Sequence, residues 1–269
     1  MLYYIEEKNS TQSEEMPFMH SHEHYELYFA LSGTRSYMTD KRLYDFSEGT
    51  LIVTAPFVLH KFSGGPFRRI LISLNKSVLS PVQIRLLDRF AQSDVITLEK
   101  PVMEHICKIL EDMLHVTDTP VKDAEIEFFL LLSQLFAIVY NQGKQSESKT
   151  EINESAPLRS VTPTILNVLA YLTDHYREPI KLDDLCAQFG ISKTWLSECF
   201  VEATNMPVMR YKLTMQINEA KRLLLTTNHS IEQIAKDTGF SSVKYFGIIF
   251  KRYAGLPPKQ YRKTTIGEK

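Results

Sequence analysis

Two stretches of this chain repeat one another closely enough to dictate what a large part of it folds into. Leu182–Phe200 reads LDDLCAQFGISKTWLSECF and Ile231–Phe250 reads IEQIAKDTGFSSVKYFGIIF. Leu182 pairs with Ile231, Leu185 with Ile234, Cys186 with Ala235 and Gly190 with Gly239; the second copy carries one extra residue after its turn, so that Phe200 matches Phe250. Each copy runs through a short apolar-periodic segment, a glycine, one apolar residue, a Ser, and a second periodic segment. Helical period on both sides of a fixed glycine is how a helix-turn-helix is written, and a tandem of such units points to DNA.

Helical pattern surrounds the repeat. Thr162-Pro163 has the form of an N-cap and first-turn pair opening a helix to about His175, Pro207–Leu225 reads as a long connecting helix, and Pro258 to about Lys263 could add a last turn. Ser230 followed three residues later by Gln233 has the form of a capping box. Upstream, Asn141–Ala156 is polar except for Ile152 and reads as a flexible linker. The expected organisation is therefore a sensing and dimerisation domain at 1–140, a linker at 141–157 and a DNA-binding domain at 158–269. Charge divides the same way. Residues 158–269 hold 16 Lys+Arg against 10 Asp+Glu, and 1–157 hold 15 against 22. A basic C-terminal part beside an acidic N-terminal part fits a polyanion binder joined to a sensor.

The N-terminal part opens with strands. A short run at Leu2–Ile5, then Tyr25–Leu31, a turn at Ser32-Gly33, Thr34–Thr39, Arg42–Phe46, Thr50–Thr54 and Arg69–Leu74 suggest an antiparallel β-barrel or sandwich. Helices are expected at 81–90, 101–115 and 121–140. The last of these is apolar over more than one stripe, which predicts a second contact besides the barrel; Phe128, Leu131, Leu132 and Leu135 are the candidate dimerisation residues, against the alternative of burial inside one subunit. The fold class expected is thus two-domain α+β: an antiparallel barrel with flanking helices, then an all-α double helix-turn-helix domain.

A second helix that enters a major groove about 12 Å wide must present its outward side chains there. Those candidates are Lys193, Thr194, Ser197 and Glu198 in the first unit, and Ser242, Val243, Lys244, Gly247, Ile248 and Lys251 with Arg252 in the second. Lys244 and Lys251 suit phosphate or guanine, and a carboxylate such as Glu198 can accept from cytosine N4. In the N-terminal part His20, His22, His24 and Glu26, with Tyr37 and His60 beyond, form the candidate effector site. Within it His20, His22, Glu26 and His60 offer three nitrogens and a carboxylate to a divalent transition metal; a polar mouth for an organic ligand, or for none, is the other reading. No Ser-His-Asp spacing, phosphate loop or paired-acid arrangement argues for an enzyme. Cys107, Cys186 and Cys199 lie singly in apolar-periodic segments and read as buried thiols of a reducing cytoplasm. No secretory signal or apolar run near the ~20 residues of a membrane span is evident, so a cytoplasmic protein without a membrane partner is expected.

These residues resemble the AraC/XylS family of bacterial transcription regulators. The likeness is carried by Leu182–Phe200, Asn218-Glu-Ala-Lys-Arg-Leu-Leu-Leu225, Ile231-Glu-Gln-Ile-Ala, Thr238-Gly-Phe-Ser-Ser242, Tyr245-Phe246, Phe250-Lys-Arg-Tyr-Ala-Gly255 and Pro258-Lys-Gln-Tyr-Arg262. It implies two helix-turn-helix units reading successive major grooves, regulation of transcription with RNA polymerase as partner, and a homodimer. The N-terminal part is similar to the family's cupin-type sensor: His20, His22, Glu26 and Gly33 match the first cupin motif, and Gly49, Pro56 and His60 part of the second. That implies either a metal at His20, His22, Glu26 and His60 or a small effector such as a sugar. Gln216, Glu198 and Ile248 stand where family members often carry basic residues, which lowers the expected phosphate contact.

Overall fold

The computed structural model describes residues 2–14, 16, 18–39, 42–93, 95–118, 123–146 and 162–264. By contacts the chain divides into two compact units, one of residues 1–16, 22–38 and 43–156, the other of 17–21, 39–42 and 157–269.

The first unit is a sheet backed by helices. Its strands are β1 (Tyr3–Ser10), β2 (Tyr25–Thr39), β3 (Leu43–Ser47), β4 (Thr50–Thr54), β5 (His60–Leu74) and β6 (Val95–Thr97), in the order β1-β5-β2-β4-β6 with β3 on the far half of β2. The sheet is antiparallel, as expected, and it is open: among the described residues β1 and β6 are not joined. The expected turn at Ser32-Gly33 is also absent. β2 runs through it, pairing Glu26–Ala30 with β4 and Thr34–Met38 with β3. Gly33 makes this bend possible: its φ is +90°, and a Cβ there would lie 2.2 Å from the Pro66 carbonyl of β5.

Strand period sorts side chains to two cores. Leu27, Phe29, Leu51, Val53, Ile70 and Ile72 face one side and join the helices α1 (Pro81–Gln92), α2 (Lys100–Asp118) and α3 (Ala124–Ser146) in one core. Tyr28, Ala30, Tyr37, Phe46, Ile52, Phe62 and Leu71 form the other, an aromatic cluster in which Tyr28 stacks on Phe62 at 4.5 Å. Both faces of β2 and β4 are thus covered, which is why Tyr25–Leu31 and Thr50–Thr54 read as continuous apolar runs rather than alternating ones.

Helix α3 departs from expectation in two respects. It continues to Ser146, over the first six residues assigned to the linker, and the buried Gln142 donates its amide N–H to the Thr97 carbonyl at 2.8 Å. The rest of the linker, 147–157, lies outside the described residues. Of the four candidate dimerisation residues, Phe128, Leu132 and Leu135 are fully buried in the unit's own core and Leu131 packs partly against it. The helix is long and apolar enough over Ala124–Gln142 to meet the length criterion for a membrane span, yet much of that apolar surface is this core. Its outward apolar residues are Ile126 and Leu130.

The second unit is helical throughout: α4 (Pro163–His175), α5 (Leu182–Phe189), α6 (Lys193–Thr204), α7 (Val208–Thr226), α8 (Ile231–Asp237), α9 (Val243–Ala254) and α10 (Pro258–Thr264). α4, α5 and α6 pack on one another, with α4 and α6 also against α7, and α8, α9 and α10 form the second bundle with it. The second core is lined by Ile217, Ala220, Leu224, Ile234, Ala235, Phe246 and Phe250.

Candidate nucleic-acid interface and sensor site

The two helix-turn-helix units are built by matching local bonds. In the first, Gly190 caps α5 at φ +65° and the Ile191 N–H reaches back to the Cys186 carbonyl at 3.1 Å. In the second, the Phe240 N–H reaches the Ala235 carbonyl at 2.9 Å across Gly239. Ending a helix this way satisfies carbonyls that would otherwise be orphaned and turns the chain sharply. Each second helix then restarts on a Ser. The Ser192 hydroxyl oxygen accepts from the Trp195 N–H, and that of Ser242 from the Tyr245 N–H. The two glycines differ in surroundings. A Cβ on Gly190 would meet nothing within 4 Å, whereas one on Gly239 would lie 2.2 Å from the Arg177 carbonyl of the α4–α5 connection.

All the candidate DNA-contacting side chains are at the surface. Lys193, Thr194, Ser197 and Glu198 are exposed on α6, and so are Ser242, Val243, Lys244, Lys251 and Arg252 with α9, where Gly247 is half-buried. Buried opposite them are Leu196 and Phe200 on α6, and Phe246, Ile249 and Phe250 on α9. The electrostatics of the two units differ. Lys193 is the sole cation of α5 and α6 against Asp183, Asp184, Glu198 and Glu202, and it is held by Asp183 at 2.5 Å. That hydrogen bond and charge raise the Lys193 pKa above the ordinary lysine value. Helices α8 and α9 carry Lys236, Lys244, Lys251 and Arg252 against Glu232 and Asp237. Gln216, the neutral residue of the connecting helix, is buried and donates its amide N–H to the Thr238 carbonyl at 2.9 Å. It therefore joins α7 to the turn of the second unit instead of facing a phosphate.

In the first unit a tight polar group closes the end of the aromatic cluster. Period two puts Glu26 on the same face of β2 as Tyr28, and His60 on the same face of β5 as Phe62. His22 approaches Glu26 at 3.4 Å and His60 approaches it at 3.7 Å, while His22 stacks on His24 with ring centroids 4.0 Å apart. Tyr37 lies 6.1 Å from His60 by ring centroids, its hydroxyl 2.9 Å from that of Thr54. His20 falls in the stretch 17–21 that groups with the second unit.

Two backbone contacts, which no sequence pattern announces, fix the chemistry of the imidazoles. His22 Nδ1 lies 2.8 Å from the His24 carbonyl and His60 Nδ1 lies 3.0 Å from the Val58 carbonyl. A carbonyl only accepts, so both Nδ1 atoms carry hydrogen, and both Nε2 atoms turn toward the Glu26 carboxylate. In a neutral ring each Nε2 presents a lone pair, the donor that a metal ion or a proton takes. The donor set fits a divalent transition metal: Nδ1 anchored on backbone is the usual way a ligating histidine is oriented, and tetrahedral bonds of roughly 2.1 Å put ligand atoms about 3.4 Å apart. The ligating atoms of His22, His24 and Glu26 all lie within 4.8 Å of one another.

Comparison with known proteins agrees with the helical unit. Residues 185–264 match the family model described as a helix-turn-helix domain. The chain is 27% identical over 255 residues to the uncharacterized HTH-type transcriptional regulator YfiF of Bacillus subtilis (strain 168), covering 91% of this chain and 78% of that protein. It is 30% identical over 109 residues to the xylose operon regulatory protein of Escherichia coli (strain K12), covering 40% of this chain and 28% of that one. Among solved structures, the C-terminal domain of the two-component response regulator yesN from Fusobacterium nucleatum is 33% identical, over 36% of this chain and 94% of that one, with a TM-score of 0.35. The tandem of capped helix pairs, each with an exposed second helix, defines a DNA-binding protein, and its relatives are named regulators, not enzymes. Residues 185–264 are thus a helix-turn-helix domain, and the chain is similar to HTH-type transcriptional regulators.

Proposed function

We propose that the chain is a sequence-specific, cytoplasmic transcription regulator that lays α6 and α9 in successive major grooves and responds to a small effector bound in its N-terminal unit. The DNA part rests on one observation above others: the two units share an interior while their outward helices differ in charge, one acidic around Lys193, the other basic around Lys244, Lys251 and Arg252. A shared interior with divergent surfaces is what reading two different half-sites requires. The basic second unit supplies most of the phosphate attraction, and the first contributes base contacts through Thr194, Ser197 and Glu198. Duplex binding measured against salt tests this. The affinity falls as salt rises if phosphates are neutralised, and no binding at low salt would refute the reading.

The sensor part rests on His22 and His60, whose anchored Nδ1–H groups direct both Nε2 atoms to Glu26. With His24 beside them these residues would hold a divalent transition metal, which when bound supplies the positive charge that the carboxylate faces. A small polar effector, a sugar included, is the alternative occupant, with Tyr37 and Thr54 adjacent. Metal analysis of protein purified without chelator tests the point: stoichiometric metal lost on His22→Ala supports it, and metal-free protein that also fails to bind added Zn2+ refutes it. Self-association is the remaining element. Through α3 it would use Ile126 and Leu130, the outward residues, and RNA polymerase is the further partner of a DNA-bound dimer.

A further inference from the structure

The outward face of α9 has a composition that neither phosphate contact nor the helix itself accounts for. At about 100° per residue, Val243, Gly247, Lys251, Lys244 and Ile248 fall within an arc of about 140°. The buried Ile249 and Phe246 lie on the other side of the helix, and the buried Phe250 borders the arc beside Val243. Val243 and Ile248 are 43% and 54% exposed, large aliphatic groups held in water on a face otherwise made of lysine. Between them sits Gly247 in the helix interior, where glycine is less favourable than alanine. A Cβ on it would meet no atom within 4 Å, so nothing inside the protein asks for a glycine at this position.

We propose that this face is a seat for the major groove in which Gly247 lets the helix backbone come close to the base edges while Val243 and Ile248 take thymine C5-methyl groups. The inference rests on the DNA-binding reading above and adds the base identity: the half-site under α9 is read through thymine. Of the four bases only thymine shows a methyl group in the major groove, and aliphatic side chains recognise it by contact. Lys244 and Lys251, on the same arc, hold the flanking phosphates or a guanine. Residues 243–248 are in the first two turns of α9, the end of a recognition helix that reaches bases. Each methyl buried against Ile248 or Val243 is worth a factor of about four in affinity.

The test uses the full chain. A bound site is selected from a random duplex pool, and each thymine of the half under α9 is replaced by deoxyuridine, which removes only the methyl. The wild type should lose about four-fold in affinity at one or two of these positions. Ile248→Ala or Val243→Ala should bind the thymine site more weakly and lose the penalty for uracil at its own position. Gly247→Ala should raise the melting temperature of the free protein, because alanine suits a helix and the space is open, yet weaken specific binding at least ten-fold. Specific binding that is indifferent to every uracil replacement, a uracil penalty undiminished in both aliphatic variants, or Gly247→Ala binding as tightly as wild type would each overturn the inference and leave DNA binding standing. Failure to recover any site would overturn the DNA-binding reading, and this inference with it.

Discussion

Gly190→Ala and Gly239→Ala make the same change at equivalent points of the repeat, and the structure predicts unequal results. Both glycines have positive φ, +65° and +81°, where an alanine costs about 1–2 kcal/mol. For Gly190 that is the whole cost, because the new methyl enters open space. At Gly239 the methyl would lie 2.2 Å from the Arg177 carbonyl oxygen and 2.7 Å from two further Arg177 backbone atoms. Backbone cannot rotate away as a side chain can, so the α4–α5 connection must shift, adding about 1–3 kcal/mol of overpacking. The sum for Gly239→Ala is roughly 2–5 kcal/mol, a large part of the ~5–15 kcal/mol that stabilises a domain. Urea unfolding followed by helical circular dichroism measures both losses. Trp195, the single tryptophan of the chain and part of α6, reports the helical unit by fluorescence. Equal losses at the two positions would refute the claim that the second turn is fixed by packing on Arg177.

Other predictions rest on single contacts. Lys251→Ala should weaken binding to unrelated DNA sequences about equally and lower the salt slope by about one unit, as read from titrations at several salt concentrations. Ser242→Ala removes the hydroxyl that caps α9 and should cost about 1 kcal/mol of stability in denaturant melts, an effect separate from any direct DNA contact. Gln142→Ala removes the hydrogen bond that the buried amide makes to the Thr97 carbonyl and should cost about 0.5–1.5 kcal/mol in the unfolding of the N-terminal unit; no loss would place residue 142 outside that unit's structure. Tyr28, whose hydroxyl is pushed up to about 12 by burial, should stay protonated to high pH, and spectrophotometric titration should show it ionising well above an exposed tyrosine.

What the sequence made legible follows from which interactions are local. The helix-turn-helix pair could be read because caps, glycines and apolar anchors all act within a few residues, and the repeat registers them twice. The sheet was less legible. β2 and β5 are each 15 residues long and bend at Gly33 and around Gly64, so a glycine that bends a strand looked like a turn between two. β6 has three residues and is defined only by its pairing with Thr50–Ile52 far upstream. In the first unit His22, Glu26 and His60 were visible as residues, but the carbonyls of His24 and Val58 that set the histidine tautomers come from backbone geometry. The dimerisation residues were misassigned for a different reason. Apolar width on α3 shows that Phe128, Leu132 and Leu135 are buried, and cannot say whether the covering surface belongs to the same chain or to another; here it is the unit's own core. Lys193 is a similar case, since its pairing with Asp183 depends on how α5 and α6 meet.

We expect α6 and α9 to read DNA together and unequally. Selection of bound duplexes by the full chain, followed by footprinting of the recovered site across a salt series, tests it most directly. Protection should extend over two major-groove segments about one helical turn apart, with affinity that falls steeply with salt and depends more on Lys244, Lys251 and Arg252 than on Lys193. Recovery of no common sequence, or protection of a single groove that survives removal of those three cations, would contradict it.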